Sequence, residues 1–171
     1  MNRRDFLQKM GAVSTVAMGM AILPNSKGYA RGGTNMKLPE FENWQLNEAQ
    51  WREKLTQEQY YILRGHGTER PFSSPLDAEK RAGIFHCAAC DLPVFDMAHK
   101  FDSGTGWPSF YQPAHEAHVG TSTDFKLIYP RTEFHCARCG GHFGHVFKDG
   151  PKPTGLRYCA NGLAFRFAPA A

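Results

Sequence analysis

The chain lacks a run long and apolar enough to span a bilayer as a helix. The one candidate, Met10 to Leu23, is about 14 residues and is diluted by Gly, Ala and Ser, against the roughly 20 that a hydrocarbon core requires. A basic cluster outside the N-terminus is missing too. Of the formal charge of +4, residues 1 to 30 carry +3 through Arg3, Arg4, Lys9 and Lys27 against Asp5, which leaves +1 for the remainder. A near-neutral body offers no electrostatic footprint for a phosphate backbone, which argues against nucleic acid as a partner. There is no internal repeat beyond a pair of similar cysteine turns, and no low-complexity segment. With the N-terminal segment set aside, the 171 residues leave enough for one modest domain with its own core.

That segment has three parts of its own. Asn2-Arg3-Arg4-Asp5-Phe6-Leu7-Gln8-Lys9 looks like the twin-arginine export consensus, the soft apolar run follows, and Gly28-Tyr29-Ala30 places small residues where a signal peptidase cuts. Residues 1 to 30 are therefore expected to be a cleaved twin-arginine signal peptide. The mature chain is expected in the periplasm, without stable membrane association. Residues 31 to 46, with Gly32-Gly33 and Pro39, carry no periodic pattern and read as a flexible tether.

The catalytic or binding unit then runs from 47 to 168. Asn47 before Gln50 and Thr56 before Gln59 each place a capping side chain three residues ahead of its partner, which predicts two short helices, the second ending near Gly65. Beyond Gly67 short runs of aromatic and β-branched residues predict antiparallel strands at Gly83 to His86, Lys126 to Tyr129, Thr132 to His135, Phe143 to Phe147 and Leu163 to Phe167. Helices first, then a mainly β domain, is the order.

Five cysteines are present. Four form Cys87-Ala-Ala-Cys90 and Cys136-Ala-Arg-Cys139, each turn following a strand-like Phe-His pair, with 45 residues between the two turns. Two such turns can set four thiolates in a tetrahedron around one Zn²⁺. Four protein ligands leave no open position, so the ion is structural and staples distant parts of one domain. A pair of redox dithiols or disulfides is the other reading of this spacing. The fifth, Cys159, has Arg157 two residues away, on the same face if this is a strand, and a guanidinium favours a thiolate. His142 and His145, in Gly140-Gly141-His142-Phe143-Gly144-His145, can supply a proton near neutral pH. Spacing alone leaves Cys159 as either a nucleophile or a buried inert thiol.

The motifs Gly67-Thr68-Glu69-Arg70-Pro71-Phe72, the two cysteine turns, Gly106-Trp107-Pro108-Ser109-Phe110, His142-Phe143-Gly144-His145-Val146-Phe147, Asp149-Gly150-Pro151 and Arg157-Tyr158-Cys159-Ala160-Asn161 occur in this order between Trp51 and Phe167. Together they resemble a B-type peptide methionine sulfoxide reductase. The resemblance implies two antiparallel β-sheets with short N-terminal helices and a zinc lying away from the catalytic cysteine. It implies that Cys159 attacks the sulfoxide sulfur of the R epimer while His145 or His142 protonates the oxygen, leaving a sulfenic acid. Trp107 would hold the substrate methyl group with Phe110 nearby, Arg157 would stand by the thiolate, and Asn161 would orient polar groups around the oxygen. Oxidised proteins or peptides would be the substrates.

One position departs from many relatives, which carry a second cysteine just before the tryptophan motif. Here Ser103-Gly104-Thr105-Gly106-Trp107 has a threonine. With four thiols on zinc, an external thioredoxin-like protein or small thiol is expected to reduce Cys159. A zinc-ribbon-like binding module, with Cys159 as packing, is the non-enzymatic alternative.

Overall fold

The computed structural model describes residues 41–125 and 129–171. The predicted leader, most of the predicted tether and nearly all of the strand expected at Lys126 to Tyr129 lie outside the described residues. Helix α1 (Glu48–Lys54) and helix α2 (Gln57–Leu63) begin where the caps place them. Asn47 and Thr56 accept from the N–H groups of Gln50 and Gln59 at 3.0 and 3.2 Å, and each glutamine side chain reaches back to its cap. Such reciprocal capping satisfies donors that a helix start otherwise leaves unpaired.

Among the described residues there are nine strands in two antiparallel sheets. The smaller has β1 (Gly83–Cys87) between β2 (Pro93–Asp96) and β9 (Phe165–Pro169). The larger has the order β3 (Lys100–Phe101), β4 (Ser109–Phe110), β8 (Arg157–Ala160), β7 (His142–Phe147), β6 (Arg131–Cys136), β5 (Val119–Asp124). This is the mainly β, two-sheet architecture expected, reaching Pro169 rather than 168. Between the sheets lies an aromatic core. Phe95 stacks on Phe110 with centroids 4.1 Å apart and meets Phe134, Tyr158 and Phe165 edge-on or tilted. Burying each such ring stabilises the fold by about 1.5–3 kcal/mol.

Two expectations need correction. The tether does not extend to 46: Phe41–Trp44 forms a 3-10 turn, Trp44 stacks on Trp51 at 6.5 Å, and Trp44 and Leu46 pack against the core. Apolar contact overrides the lack of periodicity there. Gly162–Ala164 is also a 3-10 turn, so β9 begins at Phe165 and not at Leu163.

Candidate active site and metal centre

Cys87 ends β1 in the small sheet and Cys136 ends β6 in the large one, so their turns bring the sheets together. The two turns are built alike. Asp91 N–H donates to the Cys87 carbonyl at 2.8 Å and Gly140 N–H to that of Cys136 at 2.9 Å, with φ of 60° and 70° at these closing residues. Arginines cap the turns from outside, Arg138 on the Cys90 carbonyl at 3.1 Å and Arg64 on that of Cys139 at 2.9 Å. The four sulfurs lie within 4.8 Å of one another, and all four cysteines are buried.

Their spacing decides between metal and disulfide. Cys87 to Cys139 is 3.7 Å and Cys90 to Cys136 is 3.5 Å. A disulfide needs about 2.05 Å, whereas Zn–S bonds of ~2.3 Å give a tetrahedron edge of about 3.8 Å. Burial, followed by the neighbouring sulfurs, pushes the Cys87 thiol up. The donor set fits one structural Zn²⁺, which supplies no step of the chemistry.

On the outer face of the large sheet the register sets a row of polar side chains. Ser109 pairs with Cys159, Cys159 with His145, His145 with Glu133 and Glu133 with Ser122, across β4, β8, β7, β6 and β5. Directly opposed residues share a face, with Cβ atoms about 4.5–5.5 Å apart. His142, three residues from His145, ought to face the other way in a regular strand. It does not, because Phe134 pairs with Gly144 but His135 with His142, so Phe143 is an extra residue that turns into the core. The bulge puts both histidines on one face, their rings 5.5 Å apart.

The two rings are held differently. Nδ1–H of His142 donates to Glu133 Oε1 at 2.6 Å, as does that of His66 at 2.9 Å, while the Ser122 hydroxyl donates to Oε2 at 2.9 Å. Burial acts to raise the Glu133 carboxyl, but His142, Ser122 and the nearby rings outweigh it and hold it below its usual range. His145 instead presents Nε2–H to Asp124 Oδ2 at 2.7 Å, an oxygen shared with Arg131 at 2.6 Å. Burial pushes both imidazoles down, against the pull of their carboxylates.

A cavity of about 150 Å³ opens over this row, walled by Thr68, Trp107, His145, Phe147, Cys159 and Asn161. Gly144 lines it as well, and a Cβ there would stand 2.0 Å from the Cys159 carbonyl oxygen. Burial raises the Cys159 thiol, while the Arg157 guanidinium and the Thr105 hydroxyl act against that. Arg157 itself is fixed by a two-pronged contact to Asp149 at 2.9 and 2.8 Å and lies over the Phe147 ring at 4.4 Å. The Ser109 hydroxyl donates to the Trp107 carbonyl at 3.0 Å and lies 2.8 Å from the Ser103 hydroxyl, which is 2.8 Å from that of Thr105, so a chain of hydroxyls leads to Cys159.

Of the residues expected at the site, Cys159, His145, Trp107 and Asn161 come together at the cavity, and Arg157 stands behind Cys159. His142 is buried beside them on Glu133 and does not line the cavity. Asn161 serves mainly as a brace: its Oδ1 accepts from Glu69 N–H at 3.0 Å and its Nδ2 donates to the Phe143 carbonyl at 3.0 Å. Trp107 is oriented by Nε1–H to the Glu69 carbonyl at 3.2 Å. Phe110 is a correction. Its neighbour Ser109 faces Cys159, so alternation turns Phe110 to the opposite face, fully buried against Phe85 and Phe95.

Sequence reasoning missed Asp124, Arg131, Glu133 and Glu69. Glu133 had a signal, since it alternates with the core residue Phe134. Asp124 had none, because the polar strand β5 has no hydrophobic face to announce it. Glu69 is buried, its carboxyl raised by that burial although its oxygens accept from Gly162 and Leu163 N–H at 2.6 and 3.0 Å.

The sequence model of the SelR domain matches residues 55–169. The chain is similar to a peptide methionine sulfoxide reductase MsrB of Agrobacterium fabrum, 54% identical over 123 residues, which cover 72% of this chain and 91% of that protein. A protein of the same name from Pseudomonas putida is 52% identical over 120 residues, 70% of this chain and 90% of its own. The chloroplastic peptide methionine sulfoxide reductase B1 of Arabidopsis thaliana is 52% identical over 122 residues, 71% of this chain and 60% of its own.

Proposed function

Because the chain belongs to the SelR-domain family of B-type methionine sulfoxide reductases, we propose that it reduces the R epimer of methionine sulfoxide in proteins or peptides, with Cys159 as nucleophile and His145 as acid. That it is an oxidoreductase acting on methionine sulfoxide follows from the family. The observation that carries the assignment of roles is the register that sets Cys159 between Ser109 and His145 under one small cavity.

The resting pair is thiol and neutral imidazole, since burial raises Cys159 and lowers His145. The proton that Cys159 gives up on attack is then the one the sulfoxide oxygen needs, and His145 passes it across. The Cys159 sulfur bonds to the sulfoxide sulfur, the oxygen is protonated, and hydroxyl transfers to Cys159. Methionine leaves reduced by two electrons and Cys159 is left as a sulfenic acid. Trp107 walls the methyl group. Asn161 and Arg157 keep the strand ends and the thiol in place.

A first external thiol displaces hydroxide from the sulfenic acid, with its proton released as water, and a second cleaves the mixed disulfide. Thr105 occupies the position of the missing second thiol. A thioredoxin-like protein or a small thiol is therefore the reductant, and mass spectrometry after one turnover without reductant should find no internal disulfide at Cys159. The twin-arginine leader supports export with the zinc already inserted, cleavage after Ala30 and repair of oxidised proteins in the periplasm; an intact Met1 on exported protein would refute the cleavage.

The deciding experiment is an assay of the zinc-loaded mature protein on separated epimers of a methionine sulfoxide peptide, with dithiothreitol as reductant. Turnover of the R epimer alone is expected. Turnover of the S epimer, or of neither, would reject the proposal.

A further inference from the structure

The catalytic cavity, at about 150 Å³, has room for roughly five waters at ~30 Å³ each. That admits one oxidised methionine side chain and nothing of its neighbours. Beside it lies a larger recess of about 550 Å³ that the reaction does not use. Ile62 forms its floor, Tyr61 and Leu163 its walls, and Glu58 and Arg70 its polar edge. Recesses of roughly 300–1,000 Å³ are the usual size of sites that hold small ligands.

The two spaces share walls. Thr68 lines both, and Leu163 stands two residues beyond Asn161, which lines the catalytic cavity. The dividing loop is pinned, with Glu69 holding Asn161, Gly162 and Leu163 through three hydrogen bonds. Tyr61 is 57% and Leu163 39% exposed, so apolar surface is bare at the rim of a concave site, where such surface marks a contact region.

We infer that this recess is a subsite for an apolar side chain next to methionine sulfoxide in an extended polypeptide. The inference rests on the assignment of the catalytic cavity to methionine sulfoxide. An extended chain advances about 3.3 Å per residue, so a residue one or two places from the sulfoxide crosses the Thr68 wall and reaches the recess. The edge carries both Glu58 and Arg70, and the Glu69 carboxyl that also lines the recess is taken up by the Gly162 and Leu163 N–H groups, so neither charge sign is selected and the apolar floor and walls set the preference.

The test compares kcat/KM for free methionine R-sulfoxide and for blocked peptides with glycine on both sides of the sulfoxide, or with leucine before or after it. For the wild-type protein, leucine on one side should raise kcat/KM about tenfold, through KM. Tyr61→Ala and Leu163→Ser should each cancel that gain while leaving the free amino acid rate unchanged. The Tyr61 ring packs under Gly67, so if Tyr61→Ala does not fold, Leu163→Ser, an exposed change, decides. Leucine that helps on neither side, or variants that depress all substrates alike, would overturn the subsite. A wild-type protein that reduces no sulfoxide would instead strike the assignment of the reaction.

Discussion

The two cysteine environments of this protein are built from similar parts and do opposite things. At the metal centre, four sulfurs crowd together in a dry setting where none can act alone, and arginines are spent on capping backbone carbonyls. At the catalytic face, one sulfur stands apart at a cavity, with an arginine behind it, a hydroxyl chain on one side and a histidine on the other. The same element is a fixed ligand in one place and a reagent in the other. What separates the roles is the number of sulfurs and the access of a substrate, and each can be tested by substitution.

The largest effect should come from the metal side. Cys139→Ser, or removal of zinc by a strong chelator, should unfold the domain, because structural zinc contributes about 10–16 kcal/mol against a total stability of about 5–15 kcal/mol. Calorimetry with metal analysis would show it, and a stable zinc-free domain would break the comparison from that side. Next comes Cys159→Ser, expected to lower turnover on the order of 10³-fold or more, since loss of a nucleophile leaves only the residual site. Zinc content and melting temperature should stay as in the wild type. A large drop in either would mean that Cys159 is part of the scaffold.

The histidines sharpen the contrast within the active face. His145→Asn should reduce kcat by about 10²–10⁴-fold, the usual contribution of a general acid, whereas His142→Asn should act mainly on stability by uncoupling Glu133. Single-turnover rates and denaturant midpoints distinguish the two, and equal losses of rate would return His142 to candidacy as the acid. The smallest effect is of pH. His142 and His145 titrate below their unfolded value, near 6.5, because burial disfavours the charged ring. Below that value the unfolded chain binds more protons than the folded one, so stability is present above pH ~6.5 and declines as pH falls. Urea midpoints between pH 8 and 5.5, on samples verified to keep zinc, should decline; a flat profile would show that the rings are not desolvated.

Much of this was legible in the chain because it rests on local chemistry. The caps at Asn47 and Thr56, the paired cysteine turns and the lone Cys159 announce themselves within a few residues. What stayed hidden depends on pairing across strands. Phe110 was expected near the substrate because it shares the Gly106 to Phe110 motif with Trp107, and only alternation on β4 shows that it faces the core. Asp124 reaches His145 from a strand whose Thr-Ser-Thr run has no apolar period. Trp44 looked like tether because a single ring stacking on Trp51 leaves no pattern in sequence.

At Gly144, one residue from the paired His145 and Cys159, the backbones of β7 and β8 approach to where no methyl group fits. The separation of the two reacting groups is thus set by the width of a hydrogen atom in the backbone between them. Replacing that hydrogen with anything larger would pry the strands apart and lengthen the path a proton must cross, with every catalytic side chain still present.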